Sequence, residues 1–293
     1  MRTTRAFTLV ELLVVVTVVA ILAAIVLPVF NRAKEQAMAS VCLSNFKQVS
    51  LSTMLYQTDY DDRFALSRYS TEINATSATD RTWVQLVLPY GREFRIFRCP
   101  SDYTSRPESR AIFDADLLPG DTFSRYYTVS KRTNLGYNYL YLSPLIQTQT
   151  YISPLSRSQT EINDVANMLV YGGSVHEVSE DGRPQGGGSY LIVPPCRYAQ
   201  VGNEVIDTFR LSDVPNSALF RGELSWGVLP GEEPKPRAST GGLWPWHAEH
   251  LTVAFADGHF RRITLDRASQ GCDVLPAWAG LVHDRSRYLW DLD

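Results

Sequence analysis

The sequence predicts an α+β protein: a long N-terminal hydrophobic helix packed by its second half on an antiparallel β-rich C-terminal domain. Three observations carry this expectation. Residues 6–29, AFTLVELLVVVTVVAILAAIVLPV, form an apolar run with one charge, Glu11. From Phe7 to about Asp59 there is no Gly and Pro28 is the only Pro, so nothing else interrupts a helix. Beyond residue 103, short aromatic or β-branched runs alternate with Gly, Pro, Asn and Asp.

The helix is taken first. About 50 residues at 1.5 Å each give a rod on the order of 75 Å. Its apolar first half has the length of a membrane span and follows the basic leader MRTTRA. Arg2 and Arg5 therefore place the leader in the cytoplasm and the rest of the chain outside. After the span, Ala39, Cys42, Phe46, Val49, Thr53 and Tyr56 recur at steps of three and four and form one stripe for a domain to cover, while Lys34, Glu35 and Lys47 lie elsewhere. Pro28 removes a backbone hydrogen bond and is expected to bend the rod near the outer membrane surface. Glu11 needs a separate explanation, because a lone carboxylate in a bilayer costs about 2.5–3.5 kcal/mol on insertion scales. A cut between Ala6 and Phe7 would create an α-ammonium group four residues away and supply the missing partner.

Ala6 followed by Phe7, Thr8, Leu9, Val10, Glu11, Leu12 and Leu13 resembles the cleavage and methylation signal of type IV pilins and type II secretion pseudopilins. Pro28, twenty-second counting from Phe7, stands where that family commonly has a proline; Ala6 stands where it has Gly. The resemblance implies cleavage by a prepilin peptidase, methylation of the Phe7 amine, and docking of subunits through Glu11. It also implies a single-pass protein of the bacterial inner membrane, with other pilin-like subunits and the lipid bilayer as partners. Four segments follow: a leader at 1–6, a membrane or filament-core helix at 7–29, an amphipathic continuation at 30–60, and an extracytoplasmic domain at 61–293.

Composition sets the remaining bounds. Hydrophobic residues make up 44 % and aromatic residues 11 % of 293, enough for a packed core outside the membrane. A net charge of −3, more negative still without the leader, argues against a nucleic-acid partner. Cys42, Cys99, Cys196 and Cys272 form no CxxC pair, so they support neither a zinc ribbon nor a thioredoxin-like centre. Outside the cytoplasm they allow three disulfide connectivities. Cys42 with Cys99 and Cys196 with Cys272 is favoured because the first bond would tie the helix to the domain, while buried free thiols remain the alternative.

In the body, TNLGYNYLYL, NMLVYGG, GSYLIVPPC and ALFRGELSWGVL are strand candidates. Toward the C-terminus, Leu251, Val253 and Phe255 alternate with smaller or polar residues, Asp257-Gly258 supplies a turn, and HFRRITL returns. This predicts a β-hairpin with a two-residue type I′ turn, Phe255 opposite Phe260, and His259 with Arg261 on the other face. His247, nine intervening residues and Asp257-Gly258 resemble the H-X9-DG signature of a large group of prepilin-like proteins. Cys99-Pro100-Ser101-Asp102, Gly136-Tyr137-Asn138 and the CLSNFKQ run from Cys42 are similar to other motifs of that group. It implies a pilin-like architecture and no particular activity.

No metal site or cofactor is expected. His250 and His259 are weak metal candidates, because a continuous strand would hold His247 up to about 33 Å from Asp257. Asp59, Asp61 and Asp62 could bind calcium but lack EF-hand grammar and read as a solvated helix end. His176-Glu177 begins an HExxH pattern but Glu180 closes it, and no G-x-S-x-G elbow occurs, so no enzyme is expected. The expected function is a filament or pseudopilus subunit. The alternative is a membrane-anchored module binding a surface polymer, cation or secreted protein, for which exposed Trp226, Trp244 and Trp246 would argue.

Overall fold

Thr8 opens the first helix with a capping box. Its hydroxyl accepts from the Glu11 N–H, while its own N–H and hydroxyl donate to Glu11 Oε2 at 2.9 and 2.8 Å. From this cap, helix α1 (Leu9–Asp59) runs 51 residues as one element through Pro28. The structure is a computed structural model that describes residues 8–69, 81–104, 130–147, 152–179, 181–207, 218–219, 241–274 and 280–292. Ala6 and Phe7 lie outside them.

The two halves of α1 meet different surroundings. Leu9 to Phe30 is exposed throughout, including its many Val, Leu and Ile side chains. In the second half the six residues of the expected stripe are all buried, together with Ser50, Ser52 and Gln57. This face packs on helix α2 (Trp83–Gly91), on the 3-10 turn Phe94–Phe97, and on a C-terminal hairpin. Phe46 and Val49 are at most 1 % exposed, and each fully buried side chain of this size contributes about 1.5–3 kcal/mol.

The strands that position the domain are β1 (Leu135–Asn138), β2 (Leu169–Gly173), β3 (Leu191–Ile192), β4 (Tyr198–Val201), β5 (Glu204–Asp207), β6 (His250–Phe255), β7 (Phe260–Thr264), β8 (Cys272–Asp273) and β9 (Leu281–Val282). The central sheet has the order β7-β6-β2-β1-β3, antiparallel except for the parallel β1–β3 pair. A second sheet has the order β5-β4-β9-β8. This is an α+β layout of one long helix followed by mixed and antiparallel sheets. Three strand candidates supply β1, β2 and β3, although Tyr139–Leu142, the end of the first, turns into a short helix. The fourth forms a strand at Ala218–Leu219, and its residues 220–229 lie outside the described residues.

Two packed clusters lie on either side of the central sheet. On the α1 side, the fully buried Trp83 sits against Phe97, Tyr137 and Tyr171, with centroids 4.7–5.7 Å apart, and its indole N–H donates to the Tyr190 carbonyl at 2.6 Å. Thr53 of α1 and Tyr171 of β2 share a buried hydrogen bond of 2.8 Å, joining helix to sheet. The other cluster holds Phe255, Leu251, Ile263 and Trp290. There Cys196 and Cys272, 76 residues apart, form a disulfide that fastens the approach to β4 onto β8.

The C-terminal hairpin forms where the alternation places it, with a different register. Ala254, not Phe255, stands opposite Phe260, because the turn is longer than two residues. Phe255 O accepts from Gly258 N–H, and the Phe255 N–H donates to His259 O. Only Gly258 has positive φ, at 86°, so this is a type I turn closed by a left-handed Gly. The one-residue change separates the two phenylalanines. Phe255 enters the second cluster, stacked on His259 at 4.3 Å with the Arg261 guanidinium 4.6 Å from its ring, while Phe260 packs half-buried on the α1 side.

A Cβ on Gly258 would meet Met54 Sδ of α1 at 2.6 Å. Gly258→Ala combines that contact with a left-handed backbone and should cost about 1–2 kcal/mol, read as an earlier midpoint in chemical unfolding of the purified chain. Trp83→Ala should cost about 3–5 kcal/mol by the same measurement. The double variant Cys196→Ser, Cys272→Ser should lose about 2–5 kcal/mol by releasing a long loop, and reductant should reproduce that loss in the wild type.

Candidate functional site

Four segments distant in sequence meet beside the middle of α1. Glu35, Ala39 and Cys42 lie at steps of four and three, so they share one face of the helix, with only the Ala39 methyl between the two functional groups. Asn45, three residues further, donates from Nδ2 to the Arg98 carbonyl at 2.8 Å and brings the next segment against the helix. There the Cys99 N–H donates to Asn134 Oδ1 at 2.9 Å. Asn134 Nδ2 donates to the buried Asp102 carboxylate at 2.9 Å, which also accepts from the Thr104 N–H and hydroxyl. Asn134 and Asp102 thereby fix the 99–104 segment, with Cys99 turned inward.

The fourth segment is the turn before β6. The His250 N–H donates to the His247 carbonyl at 2.9 Å, and both central residues have positive φ, 44° at Ala248 and 64° at Glu249. The turn with two left-handed residues expected at Asp257-Gly258 is thus found here, built without glycine. Such backbone is uncommon and is retained where the surroundings over-determine it. The Arg262 guanidinium, 3.3 Å from the His247 carbonyl, braces it from β7.

This turn drives His247 inward until 1 % of it is exposed. Its Nε2 lies 3.1 Å from Cys99 Sγ, and its Nδ1 lies 3.0 Å from Glu35 Oε1 and 3.3 Å from Ser101 Oγ. Cys42 Sγ, Cys99 Sγ and a His247 ring nitrogen all lie within 4.8 Å of one another. The carboxylate settles the tautomer: Nδ1–H donates to Glu35, leaving the Nε2 lone pair to face the two sulfurs. Burial above all holds the Cys99 thiol well above its ordinary pKa, and Cys42 adds to this while His247 opposes it. For His247, burial works against protonation, but Cys99 and Glu35 together outweigh it and raise the pKa.

The contact series Cys99, His247, Glu35 copies the nucleophile, base and orienting group of a thiol enzyme. Access argues against that use, because Cys99 is 0 % exposed and its raised pKa keeps it a neutral thiol.

The expected disulfide between Cys42 and Cys99 requires correction: both are free thiols, adjacent and buried, with the His247 imidazole against them. The two histidines singled out as metal candidates also fall elsewhere. His250 is exposed and bonded to the Ala248 carbonyl, and His259 is bonded to Asp257 Oδ1 at 2.6 Å. His247 and Asp257 take separate roles, one in the cluster and one in the hairpin turn. Sequence reasoning set Glu35 off the stripe that faces the domain, whereas it meets His247, and it joined Cys42, Cys99 and His247 only as motifs of one resemblance, never as one site. It also missed the Thr8-x-x-Glu11 capping box, a signal plainly present in the residues. Of the tryptophans, Trp244 is buried, Trp246 donates to the Ser174 carbonyl at 2.9 Å, and Trp226 lies outside the described residues.

α1 is long and apolar enough to cross a membrane, and the window that qualifies is wholly unburied, which fits a single-pass membrane protein. No curated protein and no solved structure matches the chain at a significant level. Residues 1–27 match the family model described as the prokaryotic N-terminal methylation motif, which supports a type IV pilin-like, N-methylated prokaryotic protein.

Proposed function

We propose that this chain is a structural, non-catalytic type IV pilin-like or pseudopilin subunit, cut by a prepilin peptidase between Ala6 and Phe7 and methylated on the Phe7 amine. It enters the inner membrane with its leader in the cytoplasm, then joins other pilin-like subunits in a pilus or secretion pseudopilus. The observation that carries this reading is the continuity of the methylation motif at residues 1–27 with a 51-residue helix whose first half has no partner among the described residues. An apolar face of that extent requires lipid or the equivalent helices of neighbouring subunits.

Glu11 joins the two states. Within one chain its carboxylate caps α1 through Thr8, and in a filament it neutralises the α-ammonium group of an adjacent subunit. The H-X9-DG resemblance agrees with this reading, since His247 and Gly258 each lie against α1, at Glu35 and at Met54. A membrane-anchored binding module has less support, because Trp244 and Trp246 are engaged in packing and hydrogen bonding.

Mass spectrometry of the membrane-extracted protein should find a mature chain that starts at N-methylated Phe7; an intact Met1 would reduce the molecule to a plain anchor. Glu11→Gln separates the two roles of the carboxylate, because glutamine still serves a capping box but carries no charge. The variant should insert into the membrane normally and appear in sheared or detergent-resistant filaments at less than about a tenth of the wild-type level, on the assumption that a buried charge pair carries a few kcal/mol. Wild-type incorporation of Glu11→Gln would show that charge pairing does not drive assembly.

A further inference from the structure

We propose that Cys42, Cys99 and His247 hold one Zn2+ ion, with Glu35 as the outer partner that orients the imidazole. The site is independent of the filament reading and adds a metal-dependent joint between α1 and the domain. Its donor set is two sulfurs and one imidazole nitrogen, the ligand types zinc prefers. With both thiols deprotonated, the ion and its ligands are neutral, which matters where Cys42 is 3 %, Cys99 0 % and His247 1 % exposed.

Geometry supports the assignment. Zinc–sulfur bonds of about 2.3 Å and zinc–nitrogen bonds of about 2.0–2.1 Å put tetrahedral ligand atoms about 3.5–3.8 Å apart. Here the three donor atoms lie within 4.8 Å of one another, and Nε2 is 3.1 Å from Cys99 Sγ, so entry of the ion needs a shift of a few tenths of an ångström at that pair. The carboxylate–imidazole contact at 3.0 Å is the arrangement that metal-binding histidines use to fix tautomer and orientation. The same chain provides a contrast, since Cys196 and Cys272 are joined to each other while Cys42 and Cys99 face a shared imidazole. The first pair is a staple and the second a chelate. Binding releases the two thiol protons to solvent and involves no oxidation or reduction.

The test uses the full chain, purified in detergent without reductant, stripped with a chelator and then offered Zn2+. Elemental analysis should find one zinc per chain, and exchange for Cd2+ should give a thiolate-to-metal absorption band. With Cys196 and Cys272 bonded, that band belongs to Cys42 and Cys99. Glu35→Ala should weaken zinc binding about 10–100-fold in a chelator competition while the far-ultraviolet dichroism stays as in the wild type. Cys99→Ser should abolish stoichiometric binding; if that variant does not fold, the wild-type zinc and cadmium measurements decide alone. A folded wild-type chain that retains no zinc would overturn the proposal, as would a Cys42–Cys99 disulfide in peptides from the non-reduced membrane protein.

Discussion

The rotation of α1 about its own axis is the constraint on which the rest of the molecule depends. A helix turns 100° per residue, so one position of slip would carry Cys42, Phe46, Val49, Thr53 and Tyr56 out of the domain and bring Lys34 or Lys47 toward it, according to the sense of rotation. Apolar burial alone fixes such a register loosely, because a stripe of similar side chains tolerates small rotations. Two directional contacts tighten it, Asn45 to the Arg98 carbonyl and Thr53 to Tyr171. They sit about 12 Å apart along the helix, given 1.5 Å per residue, and so define its position at two heights.

The buried cluster inherits that register. Glu35 and Cys42 reach His247 from the same helix face only while the stripe is seated, and Cys99 reaches it only while Asn134 holds the 99–104 segment. Each contact thereby checks another: a rotated helix removes Cys42 and Glu35 together, and a displaced 99–104 segment removes Cys99 and Ser101 together. The left-handed Ala248–Glu249 pair is the local cost of directing the imidazole inward. It is offset by the hydrogen bonds His247 gains on both ring nitrogens.

What the sequence made legible follows from the range of the interactions. The α1 stripe and the strands around Leu135, Leu169 and His250 were readable because periodicity is local and repeats over many residues. The hairpin turn was only half readable. Asp-Gly marks a turn, yet one residue more or less reverses every side chain, which is why Phe255 and Phe260 face opposite sides. The cluster was not readable from spacing: His247 pairs with Cys99 across 148 positions and with Glu35 across 212, and no short motif spans such distances. Four cysteines without CxxC spacing were read as candidate disulfides, because that pairing needs two residues alone. A chelate needs a third residue, whose approach only tertiary structure reveals.

Glu11 illustrates how one carboxylate can serve an isolated subunit and an assembly in turn. In the chain described here its oxygen takes the Thr8 N–H and hydroxyl, so the helix start is satisfied without any partner. Under the proposed cleavage Thr8 becomes the second residue of the mature chain, and a methylated ammonium group appears one residue before it. The first turn of α1 then carries a full positive charge beside the positive end of the helix dipole. The Glu11 carboxylate is the group that can neutralise this charge, within its own chain or, with the helices staggered, in a neighbouring one. Under the proposed reading, cleavage supplies the charge that Glu11 lacks and lateral packing of helices pairs the two between chains, so assembly would follow processing and not precede it.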